Sequence, residues 1–300
     1  MTILKERPNF ILFAQHGWAD TNRSIGQLAK TLSTPNTLII APNLGYFRTW
    51  LRIEPLIDRV ETIAIETISK YPDTPIRIIG HSMGGLIWLE LLDRHPEWHE
   101  RIHSLVLVAS PVGGADLARI FDPLGIGIGI AADLGKNRRQ IAESIAKLIP
   151  TLVIAGDVDD GSDGTIPIEA TKFFHSQFIC LPNISHPALK NNSSLVEIIN
   201  NFWANISLII NSELNSIDRL IQRLRSIPGI TDAHYRNFYR SQKYIDLPNN
   251  LTIHTSKNFW QIPHVFLSNS ENKCLYAGFV GWQHAQILWE NLEKIKYEYC

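Results

Sequence analysis

The pentapeptide Gly80-His81-Ser82-Met83-Gly84 has the G-x-S-x-G spacing. In that pattern a serine tops a sharp strand-to-helix turn, and the flanking glycines let neighbouring backbone approach without a Cβ in the way. A serine so placed can attack an acyl carbonyl, provided a base takes its proton. The chain offers 11 histidines for that task. It also gathers four carboxylates, Asp157, Asp159, Asp160 and Asp163, in one loop that could orient such a base. The run Asp159-Asp160-Gly161-Ser162-Asp163 lacks the ligand periodicity and distal glutamate of an EF-hand loop.

The elements around the pentapeptide fit its demand. Ile76-Arg77-Ile78-Ile79-Gly80 reads as a strand running into Ser82, and Met83–Arg94 as a helix stopped before Pro96. Strand-like runs also occur at Phe10–Ala14, Thr37–Ala41, Leu105–Ala109, Leu152–Gly156 and Gln177–Leu181. Helical patterns separate them at Ile25–Leu32 and Leu56–Tyr71, and a closing helix begins near Leu195. The strands are unalternated and rich in Val, Ile and Leu, as parallel strands covered on both faces should be. The expected fold class is α/β, a doubly wound, mostly parallel sheet of about six strands. Residues 110–150 contain a glycine-interrupted apolar stretch, Gly125–Ile130, and a helical stretch, Arg138–Leu148. They read equally as a lid or cap insertion and as an ordinary covering excursion.

The alternation ends near residue 207. Beyond it, a charged helix over Leu214–Arg225, three short strands (Leu251–Thr255, Val265–Leu267 and Cys274–Ala277) and a helix over Trp282–Ile295 describe a small α+β appendage, residues 208–300. Trp260, Phe266, Phe279, Trp282 and Trp289 are its expected core.

Composition narrows the partners. In 300 residues, 28 Lys and Arg against 29 Asp and Glu give a net charge of −1, with no basic excess to attract nucleic acid or an anionic membrane. No segment approaches the ~18 apolar residues of a spanning helix, and the first residues carry charge where a secretory signal needs apolar side chains. Three cysteines without metal-ligand or CxxC spacing indicate a reduced, cytoplasmic chain.

Residues 8–205 resemble the α/β-hydrolase superfamily. The likeness rests on the Ser82 pentapeptide, on Gln15-His16-Gly17-Trp18 after the first strand, and on Asp93-Arg94-His95-Pro96-Glu97 leading into Leu105–Val108. It is closest to compact lipase/esterase-like members, including those grouped with PGAP1-like proteins. The resemblance implies His186, after the last strand, as the base. For the acid it leaves two choices. Asp163, in Asp163-Gly164-Thr165-Ile166-Pro167, is favoured from the helix that follows, and Asp159 is the alternative from the strand before. By the same resemblance the backbone amides of Trp18 and Met83 form the oxyanion hole. His16, Gly17, Gly80 and Gly84 are then motif residues, and no cofactor or metal is implied. Trp18, Tyr46, Phe47, Trp50 and Gly125–Ile130 are candidates to line an acyl pocket.

The expected activity is hydrolysis of a small-molecule or lipid carboxylic ester through an acyl-enzyme. A thioesterase or acyltransferase would use the same residues, and an inactive binding module on this fold is the remaining alternative. Oligomeric state is not readable from the sequence.

Overall fold

The computed structural model describes residues 7–114, 130–208 and 215–299. The Gly125–Gly129 part of the apolar insertion lies outside the described residues.

Six parallel strands form the first sheet: β1 (Phe10–Gln15), β2 (Thr37–Ile40), β3 (Ile76–His81), β4 (Ile102–Val108), β5 (Thr151–Asp157) and β6 (Gln177–Pro182). Helices α1 (Asn22–Leu32), α2 (Glu54–Lys70), α3 (Met83–Arg94), α4 (Arg139–Ala146) and α5 (Ser194–Ala204) cover it. The fold class is α/β, with a doubly wound parallel sheet of six strands, as the strand runs predict.

Strand β1 shows why those runs are unbroken. Successive side chains point to opposite faces. Ile11 and Phe13 enter the core under α2, α3 and α4, while Leu12 and Ala14 enter the one under α1 and α5. Both faces are dry, so no position in the strand can be polar without losing water.

The sheet order is β2-β1-β3-β4-β5-β6. Ile11 to Gln15 of β1 pair with Ile76 to Gly80 of β3, and the chain leaves these two neighbours in opposite directions. Such a switch point leaves a crevice at the carboxyl ends of the strands, where ligands bind in open α/β sheets. Gln15-His16-Gly17-Trp18 follows β1 and Ser82 follows β3, so both motifs meet at this crevice.

Beyond residue 215 an antiparallel sheet follows in the order β7-β11-β10-β9-β8. Its strands are β7 (Ile230–Asp232), β8 (Gln242–Leu247), β9 (Leu251–Lys257), β10 (Pro263–Ser268) and β11 (Cys274–Val280). Helices α6 (Ser216–Arg225) and α7 (Ala285–Tyr299) pack on it through Leu220, Leu224, Leu288, Leu292 and Ile295. Two features differ from the sequence reading. Both edge strands, β7 and β8, are additional to the three expected. The core is chiefly aliphatic: Phe266 is fully buried, but Trp260 and Trp282 are 56% and 59% exposed. The Trp282 indole N–H donates to the Trp260 carbonyl at 2.8 Å, which satisfies its polar edge on the surface.

A buried ion cluster joins the two units. Asp232 of β7 is 1% exposed and takes the guanidinium of Arg139 from α4 and, at 3.3 Å, that of Arg225 from α6. Arg225 also reaches Glu169, beside the parallel sheet, at 3.1 Å. Burial works against the Arg225 charge, yet Asp232 and Glu169 outweigh it and hold its pKa above the ordinary value. Removing one partner of a buried pair strands the other, at about 3–5 kcal/mol. Asp232→Asn is expected to lower unfolding stability by about that amount in urea titrations, whereas a change below about 1 kcal/mol would mean that water reaches the seam.

Candidate active site

Ser82 occupies the turn between β3 and α3 with φ +54° and ψ −125°, a conformation that side-chain-bearing residues rarely adopt. Its amide donates to the Val108 carbonyl at 2.8 Å, which fixes the turn against β4. The close packing around it depends on glycine. A Cβ at Gly84 would collide with the carbonyl oxygens of Gln15 and His16, and one at Gly17 would stand 2.8 Å from the Ser82 Cβ. The two motifs therefore touch.

His186 opens a short helical turn, His186–Leu189, after β6. Its Nδ1–H donates to Asp163 Oδ2 at 2.7 Å, and its backbone amide donates to the Asp163 carbonyl at 2.9 Å. The second Asp163 oxygen, Oδ1, accepts the amides of Thr165 at 3.0 Å and Ile166 at 2.7 Å. This buried carboxylate is thus paired and hydrogen-bonded at both oxygens. Asp159 points elsewhere: its Oδ1 accepts from Ser162 Oγ at 2.7 Å and from His234 at 3.2 Å. Partial burial pushes the Asp159 pKa up, but these donors outweigh it and hold it below the usual carboxylate value.

His81 and His16 flank the site without offering a free proton acceptor of ordinary basicity. The His81 Nε2–H donates to the His186 carbonyl at 3.2 Å, and the two rings lie 4.9 Å apart. Burial, then the nearby His186 and Lys190, push the His81 pKa well down, so its ring stays neutral. His16 is also lowered by burial; its Nδ1–H donates to the Gly17 carbonyl at 2.9 Å and its Nε2 accepts the Leu44 amide at 3.0 Å. Among the described residues no hydrogen bond joins Ser82 Oγ to His186. Unliganded sites often hold such a contact long until substrate tightens it.

The segment carrying Trp18 is tied down by residues that no local motif marks. The Ala19 amide donates to Thr49 Oγ1 at 3.0 Å, and Lys190, just past the His186 turn, bonds Asp20 at 2.5 Å. Trp18 packs edge-to-face on Trp50, with centroids 4.1 Å apart. Met83 opens α3, where the first amides of a helix have no intrahelical partner and can meet an anion. Tyr46, Phe47, Trp50 and Leu51 stand exposed on the adjoining turn, Phe47 at 84%. Among the described residues no group of three or more His, Cys, Asp or Glu side chains could hold a metal ion. No helix there is long and apolar enough to cross a membrane.

No curated protein sequence matches the chain. Among solved structures, the mature form of the Bacillus licheniformis lipase BlEst2 superposes with a TM-score of 0.50 at 11% identity, covering 66% of this chain and 93% of that one. Its propeptide form gives 0.52 at 11% identity, covering 84% and 58%. Est1E from Butyrivibrio proteoclasticus gives 0.46 at 17% identity, covering 66% and 89%. At such identities the two BlEst2 superpositions show a likeness of fold alone. The model of the family described as serine aminopeptidase, S33, matches residues 6–159, a stretch that contains His16-Gly17-Trp18 and Ser82 and stops short of Asp163 and His186. That match spans more than half of the sequence, and the chain therefore belongs to the serine aminopeptidase S33 family of α/β hydrolases.

Proposed function

We propose that this hydrolase cleaves carboxylic esters through an acyl-enzyme on Ser82, with His186 as base and Asp163 as the acid that orients it. The observation carrying this reading is the 2.7 Å hydrogen bond from His186 Nδ1 to buried Asp163, beside the strained Ser82 turn. With the proton held on Nδ1, the Nε2 lone pair is available to Ser82. His186 takes the hydroxyl proton as Oγ attacks the carbonyl carbon, and the amides of Trp18 and Met83 receive the developing oxyanion. His186 then returns the proton to the departing alcohol. Water, deprotonated by the same imidazole, releases the acid and restores Ser82.

Two features bear on the substrate. An aminopeptidase must hold its substrate's ammonium group, and the carboxylate beside the oxyanion segment, Asp20, is already bonded to Lys190. The apolar rim of Tyr46, Phe47, Trp50 and Leu51 instead favours a hydrophobic acyl chain. The same residues would serve thioester cleavage or acyl transfer. Free Cys180 and Cys274 accord with a reducing, cytoplasmic location.

Comparing p-nitrophenyl acetate, butyrate and octanoate with aminoacyl p-nitroanilides and an acyl-CoA tests the assignment. The esters are expected to lead in kcat/KM by about 100-fold, the longer chains above acetate. Faster turnover of the anilides would make the protein an aminopeptidase, and faster turnover of acyl-CoA a thioesterase.

A further inference from the structure

The loop that carries Asp163 is gripped from outside the parallel sheet. Past β5, Asp157 Oδ1 accepts the Gly161 amide at 3.0 Å, and the Val158 amide donates to the Ser162 carbonyl at 2.8 Å. Ser162 Oγ donates to Asp159 and accepts the Gly164 amide at 3.0 Å, so one hydroxyl spans both neighbours of Asp163. The outer side of the loop meets the segment after β7. His234 Nε2–H donates to Asp159 Oδ1 at 3.2 Å, and its Nδ1 accepts the Arg236 amide at 2.8 Å, which fixes ring and tautomer together. The Tyr235 ring lies on Gly161, where a Cβ would come within 2.7 Å of its Cε1. Burial and the adjacent Asp160 carboxylate push the Tyr235 phenol well above its ordinary pKa, so it stays protonated. The same segment is anchored two residues earlier by Asp232 in the buried ion cluster.

We propose that His234 and Tyr235 are positioning residues for the triad acid: the C-terminal unit sets the Asp163–His186 geometry by clamping the loop at Asp159 and Gly161. The proposal rests on the reading of Asp163 as that acid. The chain of contacts runs from His234 through Asp159 to Ser162 and so to the backbone on either side of Asp163. A loop released at Asp159 lets the carboxylate drift, and drift of about 1 Å at a catalytic group can cost up to ~100-fold in rate.

The test is steady-state kinetics of the full chain on p-nitrophenyl butyrate. His234→Ala is expected to lower kcat by about 10-fold or more with KM within about twofold, a split that a general loss of folded protein would not give once active sites are counted. His234→Gln, whose amide can donate to Asp159, is expected to recover most of that loss. Tyr235→Ala, which lifts the ring from Gly161, is expected to fall with His234→Ala, and it decides the matter if His234→Ala does not fold. Values of kcat within about twofold of wild type for the folded variants, beside a crippled Asp163→Asn, overturn the clamp and leave the triad standing. Full activity in Asp163→Asn would remove the triad reading and the clamp with it.

Discussion

Ser82→Ala is expected to abolish labelling by a fluorophosphonate and to lower ester turnover by about 10⁴–10⁶-fold without changing the fold. The substitution removes one oxygen and keeps the Cβ, so the strained backbone at φ +54° and the amide bond to Val108 are both retained. What is lost is the hydroxyl oxygen proposed to form the acyl bond. Residual hydrolysis would come from the oxyanion amides and substrate binding, which alone leave about 10³–10⁴-fold over water in triad hydrolases. Labelling of the variant at the wild-type rate would place the nucleophile elsewhere. A wild-type protein that takes no label would mean that the site is not a serine nucleophile at all.

The second large effect concerns the acid. Asp163→Asn should cost about 10³–10⁴-fold in kcat, while Asp159→Asn should cost at most about 10-fold. The asymmetry follows from hydrogen-bond direction. Asp163 Oδ1 accepts two backbone amides, so an asparagine there must keep its carbonyl oxygen toward Thr165 and Ile166. Its NH₂ group then faces His186 Nδ1 as a donor. The imidazole responds by moving its proton to Nε2, where the lone pair for Ser82 should be. At Asp159 the asparagine still has an oxygen for Ser162 and His234 and touches no catalytic group. A larger loss at Asp159 than at Asp163 would transfer the role of the acid.

How far the sequence could be read follows from whether a residue's partner is local. The parallel sheet was legible because both faces of β1, β3, β4 and β5 are dry, which forces unbroken apolar runs. The Ser82 turn is legible because the serine and its flanking glycines fall within five residues, although what those glycines pack against lies elsewhere in the chain. Strand β8, Gln242-Lys243-Tyr244-Ile245-Asp246-Leu247, was not, since an edge strand buries only Ile245 and Leu247 and otherwise reads as a charged loop. Trp260 and Trp282 stand on the surface although their bulk suggests a core, and there the Trp282 indole N–H donates to the Trp260 backbone carbonyl. The acid stood between two counting rules that give Asp159 and Asp163. The structure adds what counting cannot supply: the direction in which each side chain points. Thr49, Lys190 and His234 carry no local signal at all, because each acts on a segment far away in the chain.

The ion cluster at the seam has a consequence for how such a protein can be divided. Its pairings are crossed: Arg139 answers Asp232 in one direction, and Arg225 answers Glu169 in the other. The Arg225–Asp232 pair lies within the C-terminal unit, but the carboxylate that Arg139 meets stands across the seam. Cutting between them would leave Arg139 facing the gap where Asp232 had been and Glu169 facing the gap left by Arg225. Modularity is lost at this joint, and the C-terminal unit is not a detachable cassette. A gene segment encoding residues 1–207 alone would keep Glu169 on Lys172 but would inherit an Arg139 guanidinium without the buried carboxylate it meets here.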